Sequence, residues 1–215
     1  HDLRAPIANV KGLIQLIRTE EISDQALEYI NLQDKSLEKL DVFINNIVNF
    51  SRNARLDLNL VDIDIVGLVE ESIEHHRYSP NANRLTVCID VEKPGKVITD
   101  VNRLNVVINN LVSNAIRYMD LNKTENKLNI EVRKEEDVFR FKFSDNGLGI
   151  RKEDHEKIFD LFYRAHQNSK GTGIGLYLVR DTVKKMGGDI NVSSVEGEST
   201  TFEFTIVDQK QMVNR

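Results

Sequence analysis

The sequence predicts an α+β protein in two parts, a helical hairpin over 1–58 and an α/β sandwich over 59–215. Two observations carry that division. From His1 to about Asp57 the chain is nearly free of helix breakers, and its apolar residues recur at helical spacing. After Leu58 it changes to short segments that alternate between helical and period-two patterns.

In the first part Leu3, Ile7, Val10, Ile14 and Ile17 step by fours and threes, which sets them on one helical face. The polar stretch Thr19–Asp24 interrupts the pattern, and Ser23 and Asp24 suit a helix start. A second stripe follows, Ile30, Leu37, Leu40, Ile44 and Ile47, with Gln33 and Ser51 in polar slots of the same heptad. A short turn between them predicts an antiparallel hairpin. At about 1.5 Å per residue the second helix (about 23–54) spans roughly 48 Å and the first about 27 Å. A fold-back near residue 22 then sets His1 level with about Phe43, so the first helix is expected to begin upstream of His1. Phe43, Val48 and Phe50 fall off the main stripe. One hairpin is too thin to cover them, whereas a four-helix bundle of two copies would, and a homodimer is expected.

In the second part Val61–Asp64 reads as a short strand, Ile65–His75 as an amphipathic helix and Arg84–Val91 as a strand. Asp100–Tyr118 reads as a helix, Leu128–Arg133 and Val138–Ser144 as paired strands, and Gly173–Met186 as a helix before strands at Asp189–Ser194 and Thr201–Val207. Few of these follow strict βαβ order. The expected architecture is a mixed sheet with helices on one face.

With 215 residues, 40% of them hydrophobic, the chain can bury a core. No apolar run approaches the roughly 18–20 residues of a membrane span, so no direct membrane contact and a cytoplasmic place are expected, even if a parent protein is anchored. The formal charge of −5 argues against a nucleic-acid partner but not against a nucleotide site. A single cysteine, Cys88, excludes an internal disulfide, and its place in the run Leu85, Val87, Ile89, Val91 predicts a packing role. The chain does not open on Met and is read as a piece of a longer one.

Four segments carry chemistry. His1 shares no phase with the apolar stripe, so its imidazole is expected in solvent, where a neutral ring nitrogen is a competent nucleophile. Asp2 beside it could hold the proton of the other ring nitrogen, and Pro6 would bend the helix just after. The plainer reading is a surface histidine near a chain end. Second, Asn110, Asn114 and Arg117 are spaced to share one helical face. Amide oxygens suit Mg²⁺ and the guanidinium could meet a phosphate, against the alternative of an amide-rich exposed face. Third, Asp145 ends a strand just before Gly147 and Gly149, and a buried carboxylate there could accept from an exocyclic amine such as adenine's; ordinary turns look similar. Fourth, Lys170, Gly171, Thr172, Gly173, Gly175 and Leu176 lead into an amphipathic helix, which makes an anion site of backbone amides. Neither the Walker nor the Rossmann phosphate pattern fits these glycines. The polar stretch Arg164–Lys170 before them reads as a flap.

In this order and spacing the chain resembles the core of HisKA-type sensor histidine kinases. The H box matches at His1–Pro6, the N box at Asn110–Tyr118, the G1 box at Asp145–Gly149, the F box at Phe159–Arg164 and the G2 box at Gly171–Gly175. The likeness covers essentially residues 1–207. It implies a dimerisation and phosphotransfer domain followed by the ATP-binding sandwich that such kinases share with Hsp90, MutL and gyrase. It implies His1 as phosphoacceptor with Asp2 as its activating carboxylate, and ATP with Mg²⁺ held through Asn114 and Asn110. Arg117 would contact phosphate, Tyr118 would flank the nucleotide, and Asp145 would select adenine. Gly147, Gly149, Gly171, Gly173 and Gly175 would shape the pocket and lid, with Arg164 and Lys170 near the γ-phosphate. The implied partner is the receiver domain of a response regulator, phosphorylated on an aspartate.

One position departs from the family. Threonine or asparagine commonly stands four residues after the histidine and helps place water for dephosphorylation of the partner; here it is Ala5. Weak phosphatase activity is expected, and Ala5→Thr should raise the rate of dephosphorylation of a phosphorylated receiver; an unchanged rate would reject the idea. Two rivals remain. A chaperone- or repair-type ATPase of the same superfamily would carry glutamate where Asn110 stands and would lack the H box. A degenerate kinase serving as a scaffold would have lost pocket motifs that are intact here.

Overall fold

Two helices, α1 (Arg4–Ile17) and α2 (Asp24–Arg55), form the first of two units, His1–Arg55 and Leu56–Arg215. The computed structural model describes residues 4–20, 22–55, 59–92, 97–165 and 172–208. His1, Asp2, Lys170 and Gly171 lie outside them, as do most of the flap and the side chains of Ala5, Phe43, Val48 and Phe50.

The predicted stripes divide. Ile7, Ile14, Ile30 and Ile44 are buried, but Val10, Ile17 and Leu40 are exposed, as are Leu13, Leu16, Leu27 and Leu32. A two-helix layer has one seam, and only residues on that seam are covered. Lys11 Nζ donates to Asp41 Oδ2 at 2.8 Å and Arg18 Nη2 to Asp34 Oδ2 at 2.8 Å. The chain reverses between Ile17 and Asp24, where the hairpin turn was expected. Thr19 N bonds Leu16 O and Glu20 N bonds Ile17 O as α1 ends, and the two ion pairs tie the helices together across the turn. Among the described residues no helix is long and apolar enough to cross a membrane.

The second unit holds a two-stranded ribbon, β1 (Leu60–Ile63) antiparallel to β3 (Val97–Asp100), and a five-stranded sheet. The sheet is built from β2 (Leu85–Val91), β4 (Asn126–Glu135), β5 (Val138–Asp145), β6 (Ile190–Val195) and β7 (Ser199–Val207) in the order β2-β4-β5-β7-β6. Only β2 and β4 run parallel; the remaining pairs are antiparallel.

One face of the sheet is apolar. Leu128, Ile130 and Val132 of β4, Phe139, Phe141 and Phe143 of β5, and Phe202, Phe204 and Ile206 of β7 are buried at alternate positions. Phe141 stacks on Phe204, its partner in register, at 4.6 Å between ring centroids. The same core takes in the buried faces of α3 (Ile65–His75), α4 (Val101–Arg117) and α5 (Gly175–Lys185). The opposite face is polar and carries cross-strand ion pairs such as Lys142–Glu131 at 3.2 Å and Arg140–Glu203 at 2.5 Å.

Cys88 lies on that outer face and is exposed, which overturns its expected packing role. Strand alternation sends residue 88 to the side opposite Val87 and Ile89.

Helix α4 starts at a buried cap. Asp100 accepts from Arg103 N at 3.0 Å, pairs with Arg103 Nη1 at 2.7 Å, and takes Asn59 N at 2.9 Å. From that fixed start Leu104, Val107, Ile108, Leu111, Val112 and Ala115 face the core. The adjoining edge of the helix carries Asn110, Asn114 and Arg117.

Candidate functional site

At its far end α4 is stitched to the loop that follows β5. Tyr118 N closes the helix on Asn114 O at 2.9 Å, and Tyr118 O accepts from Leu148 N at 2.9 Å. Gly147 lies against that carbonyl: a Cβ there would sit 2.4 Å from Tyr118 O and 2.8 Å from Asp145 Oδ1. No side chain fits so close an approach. Gly149 has φ +67, and a Cβ there would sit 2.0 Å from Val195 O. The loop is thus pressed between α4 and the β6–β7 turn, which Gly197 N reinforces by donating to Leu148 O at 2.7 Å.

This packing forms a pocket. It is lined by Asn114 and Tyr118 of α4, Asp145, Gly149 and Ile150 after β5, Tyr163 and Arg164, Leu176 of α5, and Thr200 and Phe202 of β7. The structure therefore brings Asn114, Tyr118, Asp145, Gly149, Arg164 and Leu176 together. Gly147 joins through its amide, which donates to Asp145 Oδ1 at 2.9 Å. Arg117 is not among the lining residues; it is exposed, with Nη2 3.4 Å from Ser113 Oγ. Thr172, Gly173 and Gly175 are not among the lining residues either; Gly173 is tied to the segment before the flap, its carbonyl accepting from Phe162 N at 3.0 Å.

Burial pushes the Asp145 carboxyl up to about 6, against the opposing pull of the Gly147 amide and the Lys123 ammonium. A carboxylate held this way has an acceptor oxygen without a full water shell. An amine on a planar base can supply the missing donor.

The start of α5 faces α4. Its N-cap residue, Ile174, has no side-chain acceptor, and the first helical bond runs from Leu178 N to Ile174 O at 2.9 Å. The amides before Leu178 therefore precede the helical ladder, the arrangement that receives anions. Opposite them, Asn110 Nδ2 is committed to Val106 O at 2.7 Å, and its Oδ1 faces the start of α5. A Cβ at Gly175 would sit 2.7 Å from that oxygen, so glycine is what lets the amide approach so closely. Among the described residues no three His, Cys, Asp or Glu side chains are placed to hold a metal ion. The amide oxygens of Asn110 and Asn114 are what this corner offers, hard donors of the kind that suit Mg²⁺.

Besides apolar lining residues such as Ile150 and Phe202, sequence reasoning missed three polar contributors. Thr200 enters because β7 sets it across from Asp145 in register. Tyr163 enters because its hydroxyl donates to the buried Asp154 at 2.6 Å, with Arg151 Nε on the other carboxylate oxygen at 3.0 Å. Lys123 reaches the loop from outside any motif. The first two had a possible signal, the position opposite a motif residue and the Tyr163–Arg164 pair after Phe162; Lys123 had none.

Residues 99–210 match the family described as Histidine kinase-, DNA gyrase B-, and HSP90-like ATPase. Over 216 aligned residues the chain is 30% identical to the aerobic respiration control sensor protein ArcB of Escherichia coli (strain K12), covering 96% of this chain and 27% of ArcB. The chain thus spans about a quarter of the length of the curated relatives it matches. Among solved structures, Acinetobacter baumannii histidine kinase AdeS superposes with a TM-score of 0.68 at 25% identity, over 98% of both chains. ShkA, solved in complex with AMPPNP, gives 0.76 at 22% identity over 96% of this chain and 44% of that one, a likeness of fold. Since the family match takes in slightly more than half of the 215 residues and runs from β3 through β7, the chain belongs to the histidine kinase-, DNA gyrase B- and HSP90-like ATPases, and the unit that holds the pocket is an ATP-binding domain.

Proposed function

We propose that the chain is the core of a two-component sensor histidine kinase, which transfers the γ-phosphoryl group of ATP to His1 and then to an aspartate of a response-regulator receiver domain. The observation that carries this reading is the pocket in which Asn114 and Tyr118 meet Asp145 and Gly149, in a chain whose likeness to named sensor kinases extends over both units.

Under this reading unit 1 is the dimerisation and phosphotransfer domain and unit 2 the catalytic one. The hairpin leaves Leu13, Leu16 and Leu32 each more than half exposed, apolar surface that a second copy would cover as a four-helix bundle. A cytoplasmic place fits both partners, ATP and a receiver domain.

In the pocket Asp145 accepts from the adenine amine and Tyr118 flanks the base. Arg117, Arg164, Lys170 and the amides at the start of α5 offset phosphate charge, and the glycines from Gly171 to Gly175 let the lid segment approach the phosphates. The amide oxygens of Asn110 and Asn114 would hold Mg²⁺, which would supply positive charge beside the phosphates. A ring nitrogen of His1 attacks the γ-phosphorus in line; the N–P bond forms as the bond to the β,γ-bridging oxygen breaks, and ADP leaves. The other ring nitrogen keeps its proton, and Asp2 accepts a hydrogen bond from it and offsets the positive charge that develops on the ring. The phosphoramidate then gives its phosphoryl group to the receiver carboxylate, and His1 returns to neutral imidazole.

Incubation with γ-labelled ATP and Mg²⁺ tests this. The expected result is acid-labile label on the chain, absent from His1→Gln. Phosphate released with no label on protein would make the chain an ATPase instead, and no uptake of ATP by folded protein would end the assignment.

A further inference from the structure

Lys123 lies in the loop between α4 and β4 and carries none of the family's motifs. Its ammonium donates to Asn146 O at 2.7 Å, Glu198 O at 3.0 Å and Gly147 O at 3.3 Å. An ammonium has three N–H donors, so main-chain carbonyls occupy all of them, and none of its described bonds goes to a carboxylate. Two of the carbonyls belong to the turn after Asp145 and the third to the β6–β7 turn.

The bond to Asn146 O acts on Asp145 through one rigid plane. The carbonyl of Asn146 and the amide of Gly147 belong to the same peptide unit, which is planar and trans, so the two groups point in opposite directions. Lys123 takes the carbonyl end; the amide end donates to Asp145 Oδ1 at 2.9 Å. Fixing the first fixes the second, and the ammonium also polarises the amide as a donor. The bond to Glu198 O anchors this plane to the β6–β7 turn, the same turn that packs against Gly149 and sends Gly197 N to Leu148 O.

We propose that Lys123 is a positioning residue for base selection, clamping the Asn146–Gly147 peptide plane to the β6–β7 turn so that the Asp145 carboxylate meets the purine at a set angle. The inference rests on the kinase-core reading, since it needs a purine in the pocket. It does not depend on which residue accepts the phosphoryl group.

The positive charge of Lys123 also draws the Asp145 carboxyl down against the larger effect of burial. Among the described residues, the other titratable or charged groups that line the same pocket are Tyr118 from the end of α4 and Tyr163 and Arg164 from the segment before the flap. All three remain in a Lys123 variant.

The test compares wild type with Lys123→Met and Lys123→Arg by calorimetric titration of ATP and of inosine triphosphate, which has a carbonyl in place of the amine, between pH 5 and 8. In Lys123→Met the affinity for ATP is expected to fall about tenfold, the size of one charge-assisted hydrogen bond. Inosine triphosphate should lose less, so the preference for ATP narrows. The pH midpoint of ATP binding should move up, by about one unit. Lys123→Arg, which keeps charge and donors, should restore the preference. Equal losses for both nucleotides with an unmoved midpoint would reduce Lys123 to a general stabiliser and overturn the proposal, as would an unaltered Lys123→Met. If Lys123→Met does not fold, Lys123→Gln, which keeps amide donors without charge, carries the same comparison. Wild type that binds no ATP would overturn this and the kinase reading together; wild type that binds with an indifferent Lys123→Met would overturn this alone.

Discussion

Gly149→Ala is expected to abolish measurable ATP binding and to lower the melting temperature of the second unit by about 10 °C. Two costs add. At φ +67 an alanine sits in the left-handed region, which costs about 1–2 kcal/mol. Its Cβ would also lie 2.0 Å from Val195 O and 2.7 Å from Val195 C, and backbone within a strand cannot rotate away as a side chain can. Either the β6–β7 turn shifts or the loop after Asp145 does, at a further cost of about 2 kcal/mol, as in other overpacked sites. For a unit of this size each kcal/mol corresponds to roughly 2–4 °C. Gly197→Ala separates the two costs. Gly197 has φ +79, but a Cβ there meets nothing within 4 Å. It should lose only a few degrees and keep its nucleotide. Differential scanning calorimetry of the pair decides: equal shifts would show that the contact with Val195 is not what makes glycine necessary.

Asp145→Asn should weaken ATP binding by about 10–100-fold, the range of a hydrogen bond to a charged partner, while making the nucleotide-free protein more stable above pH 6. The first effect follows from chemistry. A carboxylate only accepts, so it favours adenine's amine and repels the carbonyl of a 6-oxopurine; an amide can accept or donate and loses that preference. The second follows from linkage. Burial holds the Asp145 carboxyl at about 6 in the folded protein, above its ordinary value of 3.8. Between those values the folded state binds more protons than the unfolded state, so stability falls as pH rises through the window and levels off above it. Well below pH 3.8 the carboxyl is neutral in both states and costs nothing. Asparagine never ionises, so the gain should be full at pH 7.5 and much smaller at pH 4. Thermal melts at the two pH values measure it, and a gain of equal size at both would mean that burial of the charge is not its source. A site residue that reduces stability in order to hold an unhydrated charge is the pattern expected where function opposes folding.

Much of the fold was legible because its signals are local. The period-two runs at 138–144 and 201–207 and the helical runs at 65–75 and 100–118 were visible along the chain, and each formed near its predicted bounds. β3, Val97–Asp100, was missed because its two apolar residues are adjacent and show no period-two alternation. The 3-10 turns at Ala82–Arg84, Lys152–Asp154 and Lys157–Phe159 were missed because three residues are too few to show a period. The hairpin was visible but its register was not, because side-chain ties such as Lys11–Asp41 depend on where the chain reverses rather than on either helix alone.

The sequence by itself determined the elements, their order and the motif residues, because spacing along one helix or one strand is a property of consecutive residues. It set Asn110 and Asn114 one turn apart and ended a strand at Asp145 whatever the rest of the chain did. Only the tertiary structure decided that β2 lies parallel beside β4, that Thr200 stands across from Asp145, that Cys88 turns outward, and that Lys123 reaches over to hold the loop beneath the carboxylate. Each of these joins residues far apart in the chain. Their pairing is set by how all the apolar faces close on one core at once, and that closure removes water from Asp145 and gives an ordinary aspartate its altered acidity.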